Sequence, residues 1–422
     1  MEKGYKNTVL ACIVGFISQA VSYNALILFF NEFKASYGLS DTIIGYFLLV
    51  GSTVQIIADL LSGVLIKKFG FKFFAFFCPS TILIGLIFYI VSPLISSSII
   101  IGLMLGQVFI SIGAGFFEII VNSIVFNLPV ENKEKYLALI HGSYSFGFTF
   151  LIIINSIFNW QIGTGRWQTI VSFWLILPIL TIVIFLKAKM PENGMKKNPE
   201  YDKQVIKDKY FKMCILLLFF VGAAEVMMTQ WMSSFVERAV PDMPKYLLDI
   251  IAVGGFSIGI AMNRIIHSKF FTNKSIEYVL IVSIAATLII FTILSFSYNK
   301  YVVIICCLMS GFSISMLWPG TLILSAKKFP MASSLIYTIL CTAGDITSAI
   351  APWAMGKISD SLQNQKYIVN IAQQNGNISV DNVTMRMGIL LGVVFLVVAL
   401  IICVVILRMR NKGKIEVVEV ES

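Results

Sequence analysis

The chain has 422 residues, of which 58% are hydrophobic and only 13% charged, and its formal net charge is +10 at pH 7. A mean hydropathy of +0.87 excludes a soluble globular protein of this length, because too little polar surface exists to face water. The basic excess does not point to nucleic acid, since binding would need a solvated basic face and the sequence offers only short loops.

A membrane-spanning helix needs roughly 20 mainly apolar residues. In chain order such segments fall at 8–30, 43–66, 73–95, 98–126, 137–158 and 168–187. A second set follows at 211–236, 246–266, 275–297, 301–325, 332–356 and 387–408. The expected fold is an all-α membrane protein with twelve transmembrane helices in two six-helix bundles. The expected divisions are an N-terminal bundle at 1–187, a cytoplasmic linker at 188–210, and a C-terminal bundle with its tail at 211–422.

An even number of spans puts both termini on one side. With that side cytoplasmic, its loops collect most of the Lys and Arg residues, including Lys67, Lys68, Lys72, Lys327, Lys328 and Arg408 to Lys414. This is the bias of cytoplasmic loops, so the expected location is the inner (plasma) membrane with both termini inside. The first apolar run has full span length and no clean small-residue cleavage site, and reads as a retained helix. The seven cysteines fall within spans, without disulfide or zinc spacing. One long outer loop is expected from Lys357 to about Arg386. It holds Asn377-Ile378-Ser379 and Asn382-Val383-Thr384, triplets that match the glycosylation pattern but arise readily by chance.

A charge at a helix centre costs about 2.5–3.5 kcal/mol on insertion scales. Yet Asp59, Glu118, Glu225 and Asp345 all fall inside spans. Arg264 lies near the end of its span, where a long side chain can snorkel. No Lys or Arg is expected near the middle of any span. These acids therefore read as groups without a permanent counter-charge, either neutral through protonation or paired with a cation that comes and goes.

Glu118 has the most informative surroundings. Gln107, Ser111, Gly115, Glu118 and Asn122 fall within about 80° of one another on a helix, forming one polar stripe on an apolar rod. Lipid cannot satisfy such a stripe, so it must face protein or water. Its functional reading is proton exchange; its structural reading is a hydrogen bond between helices. Gly222, Glu225, Thr229 and Met232 share a face of the seventh span while Gln230 and Trp231 point elsewhere on a regular helix, and a carboxylate near an amide and an indole suits a hydroxylated ligand. Gly51, Gln55, Asp59 and Ser62 share a face of the second span, making Asp59 a candidate gate. Gln19 and Asn24 in the first span, Trp318 in the tenth and Asp345 in the eleventh are further candidates for ligand contact, or for helix packing. Trp160 and Trp167 read as interfacial anchors. Neither His141 nor His267 has a metal-binding companion at usable spacing, and no nucleophilic or phosphate-binding constellation is present, so neither an enzyme nor a cofactor or metal is expected.

The whole chain resembles the major facilitator superfamily of secondary transporters. Gly63-Val-Leu-Ile-Lys-Lys-Phe-Gly-Phe-Lys72 looks like the signature loop between its second and third helices, although Lys67 stands where an Asp is typical. Asn263-Arg264 resembles the pair at the corresponding place in the second half. Within the superfamily the chain is most similar to the fucose–galactose–glucose:proton symporter branch. That similarity rests on Gly113-Ala-Gly-Phe-Phe-Glu118-Ile-Ile-Val-Asn122, on His141-Gly-Ser-Tyr-Ser-Phe-Gly147, and on stretches around Trp231, Trp318 and Asp345. The acidic residue that this branch carries in the first helix, after an Asn matching Asn24, is Ile27 here.

The resemblance implies alternating access by rocking of two bundles, each built from inverted repeats. It assigns proton coupling to Glu118, with sodium as the other candidate ion. Read from the residues themselves, substrate contact falls to Gln19, Asn24, Asn122, Glu225, Gln230, Trp231, Trp318 and Asp345, and gating to Asp59, Lys67 and Arg264; Asp59 has no counterpart in the family's pattern. The expected function is proton-coupled symport of a small polar solute, a sugar in the first instance, by a monomer in a lipid bilayer. The alternative is a proton-driven exporter of cationic or amphipathic compounds.

Overall fold

The computed structural model describes residues 3–95, 99–129, 133–191, 199–270, 275–329, 334–376 and 378–410, and among these there is no strand. Eleven stretches of the described residues are long and apolar enough to cross a membrane. With one further helix they follow in order as α1 Tyr5–Tyr37, α2 Asp41–Ser62, α3 Lys68–Leu94, α4 Ile99–Val125, α5 Gly142–Ile162, α6 Trp167–Phe185, α7 Lys209–Ala239, α8 Lys245–His267, α9 Ile276–Phe296, α10 Lys300–Lys328, α11 Ser334–Leu362 and α12 Val380–Met409. The helix outside the eleven is α11, whose middle carries Thr342, Asp345, Thr347 and Ser348. Large apolar side chains such as Leu60, Val64, Val282, Ile289 and Val394 are exposed, as a surface facing hydrocarbon requires. This is an all-helical, multi-pass integral membrane protein.

Two compact units divide the chain: Met1–Met195 with Pro244–Ile250, and Lys196–Met243 with Ile251–Ser422. In the first unit α1 packs on α5 and α6, while α2 and α3 lie along α4. The core beneath them is aromatic and β-branched, built from Phe74, Phe116, Phe117, Ile120, Val121 and Ile124. Gly70, with φ 75°, breaks the helical path near the start of α3. α1 is interrupted after Tyr23, where the Ala20 carbonyl accepts from both the Asn24 backbone N–H at 3.4 Å and the Asn24 side chain at 2.8 Å. α6 is interrupted at Trp174–Leu175, where Pro178 lacks the N–H that would have reached the Trp174 carbonyl.

In the second unit α7 packs on α11 and α12, α9 on α10 and α12, and α8 on α10. The α8–α10 approach is backbone to backbone: a Cβ on Gly311 would overlap the Phe256 carbonyl oxygen. Neither partner is a flexible side chain, so Gly311→Ala must force the helices apart at a cost of about 1–3 kcal/mol. The expected result is a lower unfolding midpoint in detergent; a midpoint equal to wild type would mean that α8 and α10 do not meet this closely.

The chain between α11 and α12 differs from expectation. α11 continues to Leu362, a short helix occupies Lys366–Gln374, and α12 begins at Val380 rather than 387. Arg386 is therefore inside a helix and fully buried. Its charge misplaced the expected boundary, because its Nε and Nη1 donate to protein rather than to water. Asn382 is also buried and accepts from the Arg386 Nε at 2.7 Å, so the second glycosylation triplet is a packing element. Asn377, of the first triplet, lies outside the described residues. Trp167, expected at the interface, is fully buried edge-on against Phe33 at 5.1 Å. Trp160 is 64% exposed.

Candidate functional site

Two polar constellations stand out, one in each unit. In the first, the Glu118 carboxylate on α4 is half-buried while Phe117 and Ile120 beside it are fully buried. It accepts from Gln55 of α2 at 3.5 Å and is also hydrogen-bonded to Gln19 of α1. Both partners are neutral amides, and among the described residues no cation pairs with it. Asn24 donates to the Tyr144 hydroxyl of α5 at 3.3 Å, bringing a fourth helix to the same cluster. The Gln19 Oε1 and the Ser18 and Ser22 hydroxyls on α1 are buried without a hydrogen-bond partner. Donors and acceptors held in this way are costly unless a ligand or water meets them.

The rest of the Glu118 stripe is used for packing. Gln107 is buried against Tyr89 and lies within 3.4 Å of the Ser111 hydroxyl. A Cβ on Gly115 would come within 2.7 Å of the Gln55 carbonyl and 3.1 Å of the Asp59 carboxylate, so α2 and α4 are in close contact there. Asp59 thus sits against α4, part-buried, and its carbonyl accepts from Ser62. Asn122 is half-buried one turn beyond Glu118. The side chains of Lys67 and His141 lie outside the described residues.

In the second unit the structure corrects the reading of Glu225 as an acid without a counter-charge. Its Oε1 lies 3.9 Å from the Arg264 guanidinium of α8, and its Oε2 is buried without a partner. Arg264 in turn donates from Nε to the Ser315 carbonyl of α10 at 3.2 Å, while Asn263 donates to the Phe312 carbonyl at 2.9 Å and to the Ser315 hydroxyl at 2.7 Å. Placing Arg264 at a free helix end missed this, because α10 is broken there and offers carbonyls. Trp231 is also corrected: it is fully buried and its indole N–H is given to the Pro352 carbonyl at 2.9 Å, which makes it a brace between α7 and α11. Gln230 is buried, and Asp345 is half-buried on α11.

Trp318 is different. It is only half-buried, and its ring lies on two glycines, Gly222 of α7 and Gly344 of α11. A Cβ at Gly222 would stand 2.9 Å from the ring, and one at Gly344 would overlap it. The glycines hold an indole flat with part of its surface left open. Among the described residues no three His, Cys, Asp or Glu side chains cluster as metal ligands.

Sequence reasoning named Gln55 on the face of Asp59, Tyr144 in the fifth-helix motif and Asn263 beside Arg264, but gave none of them a role in a site, since nothing local in the sequence pairs them with Glu118, Asn24 or α10.

The fold and these buried polar clusters define a membrane transporter, and the Major Facilitator Superfamily model matches residues 11–352. The chain belongs to that superfamily and is not an enzyme. Solved structures agree at the level of fold. A bacterial homolog of the human lysosomal transporter Spinster, inward-facing and occupied, aligns with TM-score 0.76 and 15% identity over 97% of this chain and 98% of that one. A D-xylose–proton symporter aligns with TM-score 0.72 and 13% identity over 92% and 96%. The nucleoside transporter NupG aligns with TM-score 0.73 and 11% identity over 95% and 99%. None of the curated proteins compared with the chain matches it.

Proposed function

We propose that this chain is a proton-coupled symporter of a small hydroxylated solute, a sugar in the first instance, in the plasma membrane with both termini cytoplasmic. The observation that carries the reading is Glu118: a half-buried membrane carboxylate whose partners, Gln19 and Gln55, bring no charge. An acid left to amides can gain and lose a proton without breaking an ion pair. The uncapped Ser18, Gln19 and Ser22 groups and the Asn24–Tyr144 pair supply donors and acceptors suited to hydroxyl groups. Asn122, Gln230 and Asp345 extend this set, and Trp318 offers a flat apolar face for a ring.

The motif around Glu118 supports the fucose–galactose–glucose:proton branch, and a protein named as a D-xylose–proton symporter shares the fold. On this reading Glu118 is the proton carrier and the branch's first-helix acid has no counterpart, since Ile27 cannot share a proton. The test is uptake of labelled neutral hexoses, pentoses and deoxyhexoses into proteoliposomes, with and without an inward proton gradient. Accumulation above equilibrium only with the gradient is expected. Flux of every sugar that merely equilibrates, gradient or not, would overturn symport, and absence of sugar flux would direct the search to cationic solutes and export.

A further inference from the structure

α10 is helical over Lys300–Ile314 and again over Leu317–Lys328, with the two residues Ser315 and Met316 between. The cause lies four residues on from Ser315. Pro319 has no backbone N–H, so the Ser315 carbonyl loses the donor that an intact helix would give it. In a membrane an unmet carbonyl costs several kcal/mol, so a replacement donor is required. The Arg264 Nε, 3.2 Å away on α8, is that donor. Asn263 donates to the Phe312 carbonyl one turn earlier, which also accepts from the Ser315 hydroxyl. The close α8–α10 contact at Gly311 brings both side chains within reach of the backbone.

The residue next to Pro319 is Trp318, the plate on Gly222 and Gly344. Gly222 is one turn from Glu225 on α7, and Glu225 faces Arg264. The contacts therefore close a circuit within one unit: Glu225 to Arg264, Arg264 to the break in α10, the break to Trp318, and Trp318 back to α7.

We propose that Arg264 is a positioning residue: it supplies from α8 the hydrogen bond that Pro319 removes from α10, with Glu225 holding its guanidinium in place, and so fixes where the Trp318 indole stands. This goes beyond the transport reading and does not depend on Glu118 or on the identity of the solute.

If Arg264 stands in for a missing backbone N–H, restoring that N–H should make Arg264 dispensable. The full chain is labelled with 5-fluorotryptophan and studied in detergent by fluorine NMR, the Trp318 resonance being the one lost in Trp318→Phe. Arg264→Met, which keeps the stem and removes every donor, is expected to shift and broaden that resonance. Arg264→Lys keeps an N–H donor at nearly the reach of Nε and is expected to shift it less. Pro319→Ala alone should leave it near its wild-type position, and Arg264→Met combined with Pro319→Ala should bring it back there. Should Arg264→Met be too unstable to record, Arg264→Leu carries the same comparison with and without Pro319→Ala. Full retention of the wild-type resonance in Arg264→Met, or an equal shift with and without Pro319→Ala, would overturn the proposal and leave Arg264 as a charge partner of Glu225. Because the readout requires no transport, failure of symport and failure of this relay are separate results.

Discussion

Glu118→Gln is expected to abolish gradient-driven accumulation while leaving solute exchange across the membrane intact. A gradient of about one pH unit is worth roughly 1.4 kcal/mol per proton, which supports about tenfold accumulation at one proton per solute. The variant should fall from about tenfold to no accumulation above equilibrium. Exchange should survive because Gln is close to Glu in shape and remains able to bond with the Gln19 and Gln55 amides. It is also neutral, like the protonated acid, so the carrier is held in the form that would bind solute. With the charge gone, the desolvation penalty of several kcal/mol that distinguishes the two protonation states is gone too, and the proton no longer biases the conformational equilibrium. The measurement is paired: uptake under an imposed gradient, and counterflow at equal pH on both sides. Normal accumulation by the variant would remove Glu118 from coupling. Loss of both activities would make it a packing residue, and Glu118→Asp would then be expected to fail equally.

The number and placement of the helices were legible because hydrocarbon imposes length and composition on every span, and the apolar runs obey that rule almost without exception. The exceptions mark where protein, rather than lipid or water, satisfies a charge. Arg386 ended an apolar run in the sequence, so α12 was started at 387, yet in three dimensions the helix carries it into the core. Glu118 was found because its stripe repeats at helical spacing on its own helix. Its partners on α1 and α2 lie far off in sequence, and no local pattern pairs them. Glu225 and Arg264 were both noted as unusual, but their meeting depends on how α7 and α8 pack. The donor role of Arg264 depends further on Pro319, which reads as an ordinary kink until the carbonyl it frees is followed to its new partner. Trp231 and Trp318 show the same limit. Both are tryptophans inside spans, and only the packing separates the sealed brace from the half-open plate.

Arg386 carries the largest expected effect on stability. α9 ends at Phe296, leaving the carbonyls of Leu294 and Ser297 without intrahelical donors, and Arg386 Nη1 takes both. Its Nε goes to Asn382, and its guanidinium lies 4.5 Å from the Tyr298 ring and 5.4 Å from that of Phe235. No acid pairs with it among the described residues; the negative end of α9 and the two ring faces stand in for one. Replacing a buried ion pair with apolar side chains is often harmless because both charges leave together. Here only the cation would leave, and two helix-end carbonyls and an amide oxygen would stay behind, each costing about 1–3 kcal/mol unmet. Arg386→Met, which nearly preserves length and apolar contact, should therefore destabilise the fold by about 3–5 kcal/mol. A large drop in the unfolding midpoint should be seen in detergent, on the order of 10 °C. Arg386→Lys should fall between, since one ammonium can reach some of the acceptors but cannot stack as a planar group between Tyr298 and Phe235. A Met variant as stable as wild type would mean that the end of α9 finds other donors. Equal loss in Lys and Met would mean that the planar fork, rather than the charge, holds α7, α9 and α12 together at this end.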